Sequence, residues 1–181
     1  MIWKKDRLRP TQPYFVFDTL DFYQEIYLKQ GISHFYSYHI VENTPLRAVP
    51  DGCIDLFFEY EKDHMQGYVC GTPLEYTCAE CEGKEEVFGI RFMPGVQPEL
   101  IGCTIPIESV LRGDFGWLKK LEEERDFYQR IRIFIEAYTK AEKRREKPFG
   151  KQEMVQSIKQ MVYESDGKIK VAEMQERTGY S

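Results

Sequence analysis

Two stretches decide the fold of this chain, Cys53-Ile-Asp-Leu-Phe-Phe-Glu-Tyr60 and Val87-Phe-Gly-Ile-Arg-Phe-Met93. Both alternate. Extended backbone turns successive side chains to opposite faces, so Ile54, Leu56, Phe58 and Tyr60 share one side of the first stretch. Phe88, Ile90 and Phe92 share one side of the second, and these seven residues are the expected core. The other side of the first stretch carries Cys53, Asp55, Phe57 and Glu59, while Arg91 points away from the apolar side of the second.

Outward from these runs, His34–Val41 and Gly67–Cys70 also read as strands, short and rich in aromatic and β-branched residues. Turn formers bound them at Pro45, Pro50-Asp51-Gly52, Gly71-Thr72-Pro73, Gly83 and Pro94-Gly95. Strands at this spacing predict a small antiparallel β-barrel or sandwich. Aromatic residues make up 14% of the chain, enough to fill such a core or to line an apolar cavity.

Near residue 96 the period changes. Val96–Ile101 is expected as a short helix. From Phe127 to Ala141, apolar residues at Phe127, Ile131, Phe134, Ile135, Tyr138 and Ala141 form one helical stripe. Lys140–Lys147, followed by Pro148-Phe149-Gly150, ends that helix and reads as a linker. A second stripe follows at Met154, Val155, Ile158, Met161 and Val162, then a turn at Asp166-Gly167. A short segment, Ile169–Arg177, closes at Thr178-Gly179-Tyr180-Ser181, where a glycine can end one helix and a serine cap the next. The fold class is α+β, in three parts: a β-barrel over 1–125, a helix and linker over 126–150, and the opening of a helix-turn-helix over 151–181.

The formal charge is −5, unevenly spread. From Thr139 onward ten Lys or Arg face seven Asp or Glu, so the tail is mildly basic and the body acidic. No apolar run follows the N-terminal lysines, and none has the roughly 20 residues a membrane span needs. Five cysteines, an odd number, without an export signal point to reduced thiols and a cytoplasmic location.

Gly167-Lys-Ile-Lys-Val-Ala-Glu-Met-Gln-Glu-Arg-Thr-Gly-Tyr-Ser181 resembles the opening of the AraC/XylS-type DNA-binding domain. The resemblance implies that Ile169, Val171 and Met174 seat this segment on the preceding helix, and that Gly179 makes the left-handed turn. It also implies a recognition helix beginning at Ser181, the one DNA-contacting candidate here. Lys170 stands where a capping Ser or Thr is usual in that family, and Gln175 where a small Ala is usual. Over roughly residues 12–125, Arg47-Ala-Val-Pro-Asp-Gly-Cys-Ile-Asp-Leu-Phe57, Val69-Cys-Gly71 and Phe88-Gly-Ile-Arg-Phe-Met-Pro-Gly95 are similar to the N-terminal cupin-like domain of some of these regulators. The resemblance implies a transcription regulator that binds a small-molecule effector, pairs as a homodimer and contacts DNA when its recognition helices are present. The chain stops before the first of these, so the sequence as it stands is expected not to read an operator. The alternative is a stand-alone small-molecule-binding or protein-interaction module of cupin-like fold.

Site candidates follow. Asp55, Glu59 and Arg91 are either a solvated strand face with a structural Arg91–Asp55 ion pair, or polar fixtures inside the barrel that hold the effector. The stripe Phe127, Ile131, Phe134, Ile135 and Tyr138 either packs on the barrel or forms the dimer interface. Cys78-Ala-Glu-Cys81 is a single CxxC which Cys70, His64 or Cys103 could complete as a zinc site, but one pair reads better as free thiols. His34 and His39 lie an odd number apart on one strand and face opposite ways, so with His64 they make no cupin-type metal set. No metal, cofactor or enzymatic activity is expected.

Overall fold

Alternating side chains need cover on the apolar side, and both alternating stretches lie at the centre of a sheet. A computed structural model describes residues 10, 12–40, 45–62, 64–79, 86–96, 102–110, 115–142 and 151–180. They belong to two compact units, one within Pro10–Arg144 and one within Arg145–Ser181.

The first unit opens with a one-turn helix, α1 (Pro13–Phe17), followed by β1 (Thr19–Ile26), β2 (Ile32–Ile40), β3 (Leu46–Ala48), β4 (Asp55–Glu61) and β5 (His64–Cys70). Next come β6 (Thr77–Ala79), β7 (Glu86–Phe92), β8 (Thr104–Pro106) and a 3-10 turn at Ile107–Ser109. Two helices complete the unit, α2 (Gly116–Glu123) and α3 (Phe127–Glu142). Six strands form one antiparallel sheet in the order β1-β2-β7-β4-β5-β8, and β3 pairs with β6 in a second, two-stranded sheet. The expected closed barrel does not form among the described residues. β1 and β8 are edges, and the three-residue β3 and β6 pair with each other instead of bridging them.

Register fixes the two faces. Phe35, Ile90, Leu56, Val69 and Ile105 lie side by side across five strands, and Phe88 pairs with Phe58 two residues along from Ile90 and Leu56, on the same face. α2 and α3 cover this face. Leu121, Ile131 and Phe134 are buried in one cluster with Phe35, Phe58, Phe88 and Ile90. Phe134 meets Phe35 edge-on at 6.0 Å, and Trp117 meets Phe58 at 6.1 Å. The seven core residues drawn from the sequence all sit here, six buried and Leu56 half-buried. One charge is buried with them. Arg130, fully enclosed, lies 3.9 Å over the Tyr60 ring, pairs with Glu86 at 2.6 Å and donates to the Glu124 carbonyl.

α3 matches the expected helix but is already engaged. Phe127, Ile131, Phe134, Ile135 and Tyr138 all belong to the cluster under the sheet, so the stripe packs on its own chain, the first of its two readings. The compact unit runs through α3, which therefore belongs with the sheet and not with a separate 126–150 segment. Val96 lies in a bend, and 97–101, where a short helix was expected, falls outside the described residues.

The second unit is a helix pair, α4 (Lys151–Glu164) and α5 (Val171–Thr178). Asp166 and Gly167 carry left-handed backbone between them, with φ of 52° and 76°. Gly179 ends α5 at φ 70°, its N–H bonded to the Gln175 carbonyl, as the turn requires. Lys170, where a capping hydroxyl is usual, makes no side-chain cap. Ile169 and Met174 are half-buried, but Val171 is 70% exposed and does not seat α5. A helix-turn-helix is not shown, because Ser181, the expected start of the next helix, lies outside the described residues.

Candidate functional site

The sheet's other face is the site. Three neighbouring strands place His34, Arg91 and Asp55 in one row across β2, β7 and β4, with Cys70 beside Asp55 on β5. Two residues along, the next row on the same face is Tyr36, Gly89, Phe57 and Tyr68, and beyond it come Tyr38, Val87 and Glu59. α1, β3 and β6 contribute to the opposite side of a cavity of about 730 Å³, among whose lining residues are Phe15, Leu46, Ala48 and Thr77. This volume is within the range that holds small organic ligands.

The polar end is built on Arg91, 2% exposed. Its Nη1 donates to Asp55 Oδ2 at 2.8 Å, and its Nη2 makes a short contact with Asp51 Oδ2. Asp51 sits in the Pro50-Asp51-Gly52 turn, where its Oδ1 accepts the Cys53 backbone N–H at 3.0 Å. Gln12 reaches 39 residues along the chain to donate to Asp51 Oδ2 at 2.9 Å, and it exchanges hydrogen bonds with the Val49 backbone. The Tyr36 hydroxyl donates to Asp55 Oδ1 at 3.3 Å. Arg91 Nε, also buried, has no hydrogen-bond partner among the described residues.

Burial sets the titration of this end. It pushes the Asp55 carboxyl up to about 6 against the pull of Arg91, with Asp51 adding to the rise. Burial and then the Arg91 charge hold His34 down at about 4. Burial lifts Tyr36 well above the usual phenol range, and the Cys53 thiol to about 12. Arg91 is penalised by burial, yet the neighbouring Asp55, Cys53 and Asp51 raise it further above its ordinary value.

The remaining wall is aromatic. Tyr36 and Tyr38 stack at 5.8 Å, Phe15 tilts against both, and Phe57 stacks on Tyr68 at 5.3 Å. Tyr36 lies directly over Gly89, where a Cβ would overlap its ring. A glycine in a strand interior marks such a close approach.

Of the predicted effector residues, Asp55 and Arg91 are bonded and Glu59 lines the same cavity. Glu59 is four residues along β4 from Asp55, roughly 13 Å by strand rise, so it belongs to the far wall and not to the ionic cluster. Of the two readings of this face, solvated or enclosed, it is largely enclosed, with Cys53 and Asp55 buried. The reading that Arg91 and Asp55 form a structural pair and the reading that they line a cavity describe the same atoms. Sequence reasoning did not place Gln12, Tyr36 or Tyr38 at the site. The alternation in Ile32–Ile40 carried a signal for the tyrosines; nothing local marks Gln12.

Cys53, Cys70, Cys78 and Cys103 are free thiols lining the cavity. Cys81 lies outside the described residues, so its pairing with Cys78 is not described. Among the described residues no three His, Cys, Asp or Glu side chains gather as a metal-holding group. No helix among them is long and apolar enough to cross a membrane.

In class, this is an antiparallel sheet with helices on one face and a binding-sized cavity on the other. A family model described as a domain of unknown function (DUF6597) matches residues 26–108, less than half of the chain, from the end of β1 through the 3-10 turn after β8. No curated protein and no solved structure matches the chain.

Proposed function

We propose that this chain is the effector-binding region of an AraC/XylS-type transcription regulator, and that α4 and α5 are the opening of its DNA-binding helix-turn-helix. The cavity carries the reading. It combines an apolar aromatic wall with a small number of fixed polar groups, the composition that binds and orients a small molecule. Support for the DNA-binding half comes from the left-handed Gly179 after α5 and the mildly basic tail. The role is binding and not turnover, in the cytoplasm, with effector occupancy biasing how two paired chains present their DNA-binding segments.

The test is selection of genomic DNA fragments by the protein as encoded in its genome, with and without small molecules that raise the melting temperature of this chain. Enrichment of a defined sequence, shifted by such a molecule, supports a regulator. Binding of small molecules without any sequence-selective DNA binding refutes the regulator and leaves a small-molecule-binding module.

A further inference from the structure

The charge and surface of the cavity go further than its size. We propose that its occupant is a small organic cation, an amine on an apolar or aromatic body, and not a carboxylate or phosphate. This rests on the reading that the cavity binds a small molecule.

Three observations carry the inference. The described lining holds three carboxylates, on Asp51, Asp55 and Glu59, against one guanidinium and no lysine, a formal charge of −2. Each Arg91 Nη donates to a carboxylate, so the Nη pair is occupied from within the protein, which leaves Nε as the one guanidinium donor without a partner among the described residues. An anion entering would meet the carboxylates first. The acceptors, by contrast, have capacity left. Asp55 takes one hydrogen bond at each oxygen, from Arg91 and Tyr36, where a carboxylate offers about four lone-pair sites. Its side chain keeps 12% of its surface open, and that of Asp51 keeps 17%.

The aromatic wall is the third observation. Phe15, Tyr36, Tyr38 and Phe57 line the same space, and ring faces attract a desolvated cation that the apolar wall alone would repel. Carboxylate acceptors at one end and aromatic rings along the wall suit an ammonium group attached to an apolar body. A neutral alcohol of the same shape gains the apolar contact without the charge.

The experiment is calorimetric titration of the full chain with three probes of one size and differing charge: 2-phenylethylamine, 2-phenylethanol and 3-phenylpropionate. The amine is expected to bind about tenfold more tightly than the alcohol, with the carboxylate weaker than both. Phe57→Leu, which keeps an apolar wall but removes a ring face, is expected to weaken the amine several-fold and to leave the alcohol nearly unchanged. Equal binding of amine and alcohol, or preference for the carboxylate, overturns the cation inference while leaving a binding cavity. No heat from any of the three at millimolar concentration overturns the cavity reading as well.

Discussion

Gly89→Ala tests the packing that makes the cavity wall. Gly89 lies between Tyr36 and Phe57 in the sheet, and a Cβ there would overlap Cζ, Cε2 and Oη of Tyr36. The backbone at either residue has no room to retreat, because β2 and β7 are bonded along their length and the opposite face is fully packed. The Tyr36 ring must therefore leave its place. Displacing a fully buried aromatic side chain costs about 3–5 kcal/mol by analogy with truncation. The lost bond to Asp55 adds about 1 kcal/mol, and exchanging Gly for Ala within a strand returns about 0.5–1 kcal/mol. The net loss is about 3–5 kcal/mol, a large share of the ~5–15 kcal/mol that holds a domain together. In a Tyr36→Leu background the overlapping atoms are gone, so the same Gly89→Ala change should be neutral or slightly stabilising. Urea unfolding followed by Trp117 fluorescence reads this unit, since Trp117 packs on Phe58 and Phe134. With a slope of ~2 kcal/mol/M, Gly89→Ala should lower the midpoint by about 2 M in the parent and by nearly nothing in Tyr36→Leu. The same drop in both backgrounds would refute the reasoning.

Three further predictions concern the rest of the chain. Asp55, held up near 6, keeps its proton longer in the folded state, so its contribution is present at low pH and lost as pH rises through 6; this is worth up to about 3 kcal/mol. His34, held down near 4, contributes above its ordinary 6.5 and loses that contribution as pH falls toward 4, by a similar amount. The two slopes oppose, so Asp55→Asn should make the melting temperature climb with pH between 4 and 6 more steeply than in the parent; an unchanged slope contradicts the assignment. Arg130→Ala leaves Glu86 without its charge partner and vacates the Tyr60 ring face, and chemical denaturation should show a loss of about 3–5 kcal/mol. Gly179→Ala forces a side chain into left-handed backbone at the end of α5, and faster amide exchange over 171–178 should report a local loss of about 1 kcal/mol.

The sequence made β4 and β7 legible because both alternate over seven residues. The helices α3 and α4 were legible for the same reason, a stripe long enough to show its period. β3, β6 and β8 have three residues each and therefore no period at all. β1 was hidden differently. It is an edge strand with a register irregularity between Leu20 and Tyr23, and its Leu20 and Tyr23 are exposed where a one-sided strand would alternate. The candidate site was half visible. Asp55 and Arg91 stood out as charges in apolar strands, but the rule that one face is buried and the other wet left a solvated face open beside the cavity reading, since alternation does not show that both faces of β4 and β7 are covered. Gly89 within a strand was the local clue that a ring presses against the backbone there. Gln12 reaches Asp51 only through the folded chain, and no local pattern encodes that contact.

The central claim is that the space between the sheet and α1, β3 and β6 takes a small molecule. Ala48 lines that space from β3, so Ala48→Trp should occupy it without touching Arg91 or its partners. Calorimetric titration with 2-phenylethylamine should give a saturable binding heat with the parent and none with Ala48→Trp, whose melting temperature stays at or above the parent value. Equal binding by both proteins would contradict the account.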